Sequence, residues 1–255
     1  MVAVRALLSA LISTLLFAFA FAGACQAADF TIYTTEFPRL AEQQGGMAGG
    51  MYVEVMRKVA QATGHHFTWV FQPWPRAQRS AQDDPKGLIV NLTRNAGREA
   101  QYSWVGVIGW GRYGIFSLRQ SAGAACAPLV PSAQMIGYLN GSDVLGALQV
   151  EGFANLEGAV TSAVNARKLQ MARIKGWAVN VWTGPSMYEQ AGFSAASLCV
   201  QPLGPNWDQW LAASLNFPAE AAAQIGASLR KLRADGSFKS LENQYWRPVP
   251  GITPP

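Results

Sequence analysis

Apolar residues recur along this chain in two alternating periods, one of strand type and one of helix type. Phe30 to Thr34 alternates β-forming side chains and predicts a first strand, closed by the polar and aromatic turn Thr35-Glu36-Phe37-Pro38. The glycines from Gly45 to Gly50 predict a flexible loop or hairpin tip. From Met51 to Thr63 the apolar positions Met51, Val55, Val59 and Ala62, flanked by Val53, Met56 and Ala60, have helical spacing, and Gly64 stops the helix. A second strand follows at His66–Phe71. Pro73-Trp74-Pro75 then opens a short helix, because prolines fit a first turn whose N–H groups have no partner. Leu88–Val90, preceded by a turn signal at Lys86-Gly87, predicts a third, buried strand. Farther on, the segments Tyr102–Gly106, Tyr113–Leu118, Gln134–Leu139, Trp177–Trp182 and Ser197–Gln201 read as extended. Helices are predicted after Asn140-Gly141-Ser142-Asp143, over Ala159–Ile174, after Thr183-Gly184-Pro185-Ser186, over Phe217–Ala234, and from Asp235 to near Trp246. Strands that alternate with helices place the chain in the α/β class with mainly parallel sheets. The small residues Ser121–Ala125 and the strand Ser197–Gln201 are the candidate crossings between two halves.

The N-terminus sets the compartment. Arg5 precedes an uncharged run from Ala6 to Ala22, and Gly23-Ala24-Cys25-Gln26-Ala27-Ala28 has the small residues of a signal-peptidase site. Residues 1–27 therefore read as a secretory signal peptide cut after Ala27, which makes the mature protein periplasmic; a lipoprotein anchored at Cys25 is the alternative. Of 20 basic and 15 acidic side chains, cleavage removes only Arg5, and the remaining excess of positive charge is evenly spread. No basic cluster tracks phosphates, so nucleic acid is not a partner. Three cysteines become two on cleavage, Cys126 and Cys199, and an exported protein with two cysteines is expected to join them, two free buried thiols being the other reading. The two histidines are the adjacent His65 and His66, and there is no CxxC, so no metal site and no cofactor are expected.

The polar burst after the third strand, Asn91-Leu92-Thr93-Arg94-Asn95-Ala96-Gly97-Arg98, is the candidate site. In an open α/β sheet, ligands bind beyond the carboxyl ends of the strands. Arg98 offers a planar fork of donors that matches a carboxylate, and it stays charged at any physiological pH. Asn91 and Thr93 lie two apart, on one side of an extended chain. The bland reading of this stretch is a polar loop with its arginine paired to Glu99 or another surface acid.

In four segments the chain resembles the family 3 periplasmic solute-binding proteins, the receptors of amino-acid-type ATP-binding-cassette (ABC) importers. These are Gly49-Gly50-Met51-Tyr52-Val53-Glu54-Val55; Gln72-Pro73-Trp74-Pro75-Arg76-Ala77; Asn91-Leu92-Thr93 with Arg98 and Tyr102-Ser103-Trp104; and Leu229–Ser237 with its closing Asp235-Gly236-Ser237. The resemblance spans nearly the whole mature chain. It implies a two-lobed type II periplasmic-binding fold, each lobe a mainly parallel sheet flanked by helices, joined by two crossings. Lobe I would comprise residues 28–119 and 203–255, and lobe II residues 120–202. It further implies a monomer that captures a small carboxylate-bearing ligand, amino-acid-like or an organic acid, and delivers it to an importer permease. Arg98 would hold the ligand carboxylate, with Asn91 and Thr93 on the same wall and Gly141-Ser142 opening a helix from the other lobe. Asp143 stands where the family has a hydroxyl residue. No acid stands in Trp182-Thr183-Gly184-Pro185, where amino-acid receptors place one for the ligand's ammonium, which favours an organic, modified or aromatic acid.

Trp74 and Trp182, at strand ends, are candidate stacking walls, as are Trp104 and Trp110; Glu36 would take a cationic ligand group or cap a turn, and Thr183 completes the candidate set. No nucleophile elbow, phosphate loop or metal cluster is present, so no enzyme is expected. The alternatives are a receptor for a membrane signalling partner, or a dehydratase on the same fold with Glu36 or Asp143 as general acid. Intact mass of the exported protein should place its first residue at Ala28. A lipid on Cys25 would overturn that cleavage.

Overall fold

The structure is a computed structural model that describes residues 27–121, 124–131 and 133–255. Residues 1–26, with the signal-peptide reading and Cys25, lie outside the described residues, as do residues 122–123 within the candidate crossing Ser121–Ala125. In chain order the elements begin with β1 (Asp29–Thr34), β2 (Glu42–Gln44), β3 (Met47–Gly49), α1 (Met51–Thr63), β4 (His66–Phe71), α2 (Trp74–Asp83), β5 (Gly87–Thr93) and β6 (Ser103–Leu118). They continue with β7 (Ile136–Leu139), α3 (Val144–Val150), β8 (Leu156–Ala159), α4 (Ser162–Gln170), β9 (Gly176–Asn180) and α5 (Gly184–Gln190). β10 (Leu198–Ala213), α6 (Ala219–Ala234) and α7 (Ser237–Tyr245) close the chain.

Among the described residues the strands form an eight-stranded sheet in the order β4-β1-β5-β10-β6-β9-β7-β8, beside the β2–β3 hairpin. At one end β1 lies parallel to β4 and β5; at the other β7 lies parallel to β8 and β9. The two 16-residue strands β6 and β10 run antiparallel to each other between these ends. The lower half of β6 pairs Tyr113–Phe116 with β9, while the upper half of β10 pairs Ala213 and Ala212 with β5.

Local chemistry accounts for the helices. α1 buries Met51, Tyr52, Val55, Met56 and Val59, most of the stripe its spacing predicts, while Ala62 at its end is exposed. Gly64 ends it in the left-handed region at φ 73, where its N–H bonds Ala60 O. α2 starts on Pro73 with a second proline in its first turn. α6 lays Ala221, Ile225 and Leu229 against β6 and α1.

Three expectations are corrected. Tyr102–Gly106 and Tyr113–Leu118 are parts of one continuous strand, β6, because β10 supplies partners along its whole length. The strand begun at Ser197–Gln201 extends to Ala213 for the same reason. The helix expected over Ala159–Ile174 is shorter: Leu156–Ala159 pairs with β7 as β8, and the helix ends at Gln170 before Ala172 turns left-handed at φ 55. A strand of four residues has no periodicity to read.

Cys126 and Cys199 are joined, with Cα atoms 5.6 Å apart and a sequence separation of 73. The bridge ties the segment after β6 to the first turn of β10, and Cys199 is buried. A loop of this length limits the unfolded chain by roughly 4 kcal/mol in the chain-entropy account. Reduction should lower the melting temperature by about 10 °C, measured by scanning calorimetry with and without reductant. An unchanged transition would show that the bridge contributes nothing to stability.

Candidate functional site

The stretch singled out in the sequence opens onto a cavity between the two ends of the sheet. β5 brings Asn91 and Thr93 to its wall, and the turn after β5 brings Arg98, whose N–H bonds both the backbone and the side-chain oxygen of Asn95 at 3.0 Å. Trp74 enters from the first turn of α2, buried and edge-on to Phe37. The opposite wall is Ser142, Asp143 and Val144 after β7, with Asn180 at the end of β9 and Thr183 after it. The space left for water centres is about 40 Å³, room for only a few water-sized groups.

Arg98 is held by neutral oxygens. Its guanidinium donates to Thr93 O at 3.2 Å, to Gln78 Oε1 at 3.3 Å and to Gly141 O at 3.0 Å. Glu99 is not its partner; Arg94 takes that carboxylate with two hydrogen bonds, of 2.9 and 2.6 Å. Arg98 enters no ion pair among the described residues. The bland reading therefore applies to Arg94 and not to Arg98. Asp143 lines the same cavity, and its Oδ1 accepts from Asn95 Nδ2 at 2.5 Å. Gln78 Nε2 also reaches Gly141 O at 3.1 Å. These bonds draw Gln78, Asn95 and Arg98 of one wall onto Gly141 and Asp143 of the other, so the cleft is closed.

The floor of the cavity is a set of amides that strand-by-strand reading missed. With its amide oriented by its partners, Gln209 of β10 donates to Asn91 Oδ1 at 3.0 Å and to Asn91 O at 3.2 Å, and accepts from Asn180 Nδ2 at 3.0 Å and Trp207 Nε1 at 3.3 Å. Tyr52 adds its hydroxyl to Asn91 Oδ1 at 3.3 Å. Gly111 has no room for a side chain, since a Cβ there would lie 2.2 Å from the end of the Gln209 amide. Asn91 itself is left-handed at φ 63, beside the register shift between β5 and β10 at Trp210/Ala212. Such a backbone costs about 1–3 kcal/mol and persists where surroundings hold it, typically at functional sites. Tyr113 completes the floor between Thr93, Asp143 and Arg98; burial, and next the charge of Asp143, hold its phenol above its ordinary pKa, so it is a neutral donor. Gln209 lay in a stretch assigned to no element, and only its polar character inside an aromatic run, Trp207-Asp208-Gln209-Trp210, marked it.

Of the predicted site residues, Trp74, Asn91, Thr93, Arg98, Ser142 and Thr183 line this cavity. Gly141 meets it through its carbonyl. Ser142 and Thr183 are already bonded within their own turns, to Leu139 O at 2.6 Å and Asn180 O at 3.2 Å. Glu36 lies in an adjoining cavity. Trp182 stands behind the wall, its ring 5.2 Å from Trp110 and 4.7 Å from Trp246. Trp104 packs on the far side with Trp210 under Arg94. Asp143, treated in the sequence as a departure, faces the site and supplies an acid opposite Arg98. No helix among the described residues is long and apolar enough to cross a membrane, and no metal-ligating cluster occurs among them.

No family model and no curated protein matches the sequence. Solved structures do match. A histidine kinase sensor domain with similarity to periplasmic binding proteins superposes with a TM-score of 0.73 at 15% identity, over 86% of this chain and 96% of that one. The chain has the type II periplasmic-binding-protein fold. An ABC uptake transporter substrate-binding protein from Streptococcus pneumoniae, with bound histidine, gives 0.72 at 14% identity over 86% and 92%. An ancestral amino-acid-binding protein, a precursor of cyclohexadienyl dehydratase, gives 0.70 at 12% over 86% and 95%. The structural relatives are thus of the kind the four sequence motifs resemble, and at these identities the likeness is one of fold. In that fold the two ends of the sheet are two lobes, and the Arg98 cavity lies between them.

Replacing Gln209 by Met would leave the Asn91, Asn180 and Trp207 groups without their buried partner. Unfolding by urea should show a loss of about 2–4 kcal/mol. A loss below about 0.5 kcal/mol would mean that the cluster is not what holds Asn91 in its left-handed turn.

Proposed function

We propose that the chain is a periplasmic solute-binding protein that captures a small, carboxylate-bearing ligand between its lobes by hinge closure and delivers it to an ABC importer. The observation that carries this reading is Arg98. It is a half-buried guanidinium in an interlobe cavity, satisfied by neutral oxygens and without a carboxylate partner among the described residues. Two of those acceptors, Thr93 O and Gln78 Oε1, belong to its own wall, and the third, Gly141 O, to the facing one. A ligand carboxylate would take the fork now turned to Gly141 and gain charge-assisted bonds in place of neutral ones. Asp143 opposite supplies the negative pole that Trp182–Pro185 lacks, so an amino-acid-like ligand is favoured over a plain organic acid. The disulfide supports an oxidising compartment.

Closure would turn on β6 and β10, with lobe I as residues 28–119 and 203–255 and lobe II as residues 120–202. Binding without turnover is the reading taken. The cavity holds Asp143 as an acid, but Asn95 already bonds it, and burial and the Asp143 charge keep the neighbouring Tyr113 phenol protonated, a hydrogen-bond donor. The sensor neighbour favours a second reading, docking on a membrane signalling partner. Deleting the gene separates the two: loss of ligand uptake supports the importer receptor, and intact uptake with a lost transcriptional response supports the sensor.

Arg98→Ala should fold normally and bind the ligand about 30-fold to several-thousand-fold more weakly, the range expected for truncating one partner of a desolvated charge pair. Arg98→Lys should recover only part of this, since an ammonium cannot make the paired fork. Calorimetric titration of a thermal-shift hit provides the measurement. Equal affinity in Arg98→Ala would make Arg98 a structural arginine.

A further inference from the structure

Beside the Arg98 cavity lies a larger one, with about 260 Å³ open to water centres. Leu139 and Ser162 line both, so the two are adjoining chambers of one cleft. The walls of the outer chamber also come from both lobes: Thr35 and Glu36 follow β1, while Arg167 lies on α4 and Met187 and Gln190 on α5. Each chamber thus has one acid and one arginine drawn from opposite lobes. Inside, Arg98 of the first lobe shares the cavity with Asp143 of the second; outside, Glu36 of the first shares it with Arg167 of the second. None of the four enters an ion pair among the described residues. Glu36 accepts one bond, from Gln43 N at 3.1 Å, and partial burial, with the charge of Glu42, holds its carboxyl above the ordinary range. Between the charges run Leu139, Pro38 and Met187, an apolar lining.

A single small acid would fill the inner chamber and leave the outer one, the larger, to water. We infer that the ligand is elongated and zwitterionic at both ends, a bis-amino acid or a peptide-like compound of that length. One amino–carboxyl pair sits between Arg98 and Asp143, the spacer lies along Leu139, and the second pair sits between Glu36 and Arg167. This rests on the reading of Arg98 as the ligand's anchor and extends it to the far end of the cleft.

The test is calorimetric titration of the mature protein with L-norleucine, L-lysine, L-2-aminopimelate and meso-diaminopimelate. They share one amino-acid end and carry at the other nothing, an ammonium, a carboxylate, or both. Diaminopimelate should bind at least about tenfold more tightly than norleucine, the sum expected of two contacts at a partly wet rim. Lysine and aminopimelate should fall between. Glu36→Gln should remove the advantage of lysine over norleucine alone, and Arg167→Gln that of aminopimelate alone; both side chains are exposed enough to replace without unfolding. Norleucine binding within about threefold of diaminopimelate, ratios unmoved by the two variants, or binding by none of the four would overturn the inference. If Arg98→Ala weakens every probe while the far-end charges make no difference, the Arg98 reading stands and only the extension falls. If Arg98→Ala binds like the parent, both fall.

Discussion

The antiparallel pairing of β6 with β10 is the constraint on which the rest of the molecule depends. These two strands belong to both ends of the sheet at once. At one end β10 carries β5, and through it β1 and β4; at the other β6 carries β9, and through it β7 and β8. The ladder shifts register at three places, the widest between Leu203, which opposes Tyr113, and Trp207, which opposes Gly111. The residues between, Gly204-Pro205-Asn206, bulge out, and the Arg112 side chain ties the bulge to its own strand by a 3.0 Å bond to Gly204 O. Bulges bend and twist a sheet and re-aim its side chains. Here the bulge lies between Tyr113 and Gln209, and both line the floor of the cleft.

Polar bonds join the two ends of the sheet both at the floor of the cleft and across its rim. The amides of Asn91, Asn180 and Gln209 satisfy one another across three strands in a region where an unmet donor would be costly. Their mutual bonds hold Asn91 in a backbone conformation it would not choose alone. Farther out, the two ends of the sheet meet through side chains that reach across: Arg98 and Gln78 on Gly141, Asn95 on Asp143, Gln190 on Glu42 at 2.9 Å, and Arg247 on Glu189 at 2.5 Å.

The aromatic residues show how chemistry alone misplaces function. Nine tryptophans offered several plausible stacking walls, yet only Trp74 among the candidates reaches the cavity. Trp110, Trp182 and Trp246 instead pack against one another where the lobes meet, and Trp104 with Trp210 forms a platform under Arg94 on the outside. A large apolar ring is buried wherever two layers close, so its presence near a strand end does not distinguish a ligand wall from a lobe seam.

By itself the sequence determined what is local. The α/β alternation, the first helix with its glycine stop, the proline-opened second helix and the polar burst after the third strand all follow from periodicity and turn chemistry over a few residues. Arg98 and its neighbours were legible because one strand end carried them together. The tertiary structure alone decided which arginine is paired, since Arg94 and Arg98 are equivalent in the sequence until Trp104 and Glu99 fold around one and Gly141 around the other. It also decided the roles of Gln209, Asn180 and Asp143, which lie far apart in the chain and act only as neighbours. Their partners are set by strand order and register, and these come from burying two sheet ends against their helices, a long-range balance that no window of the sequence contains.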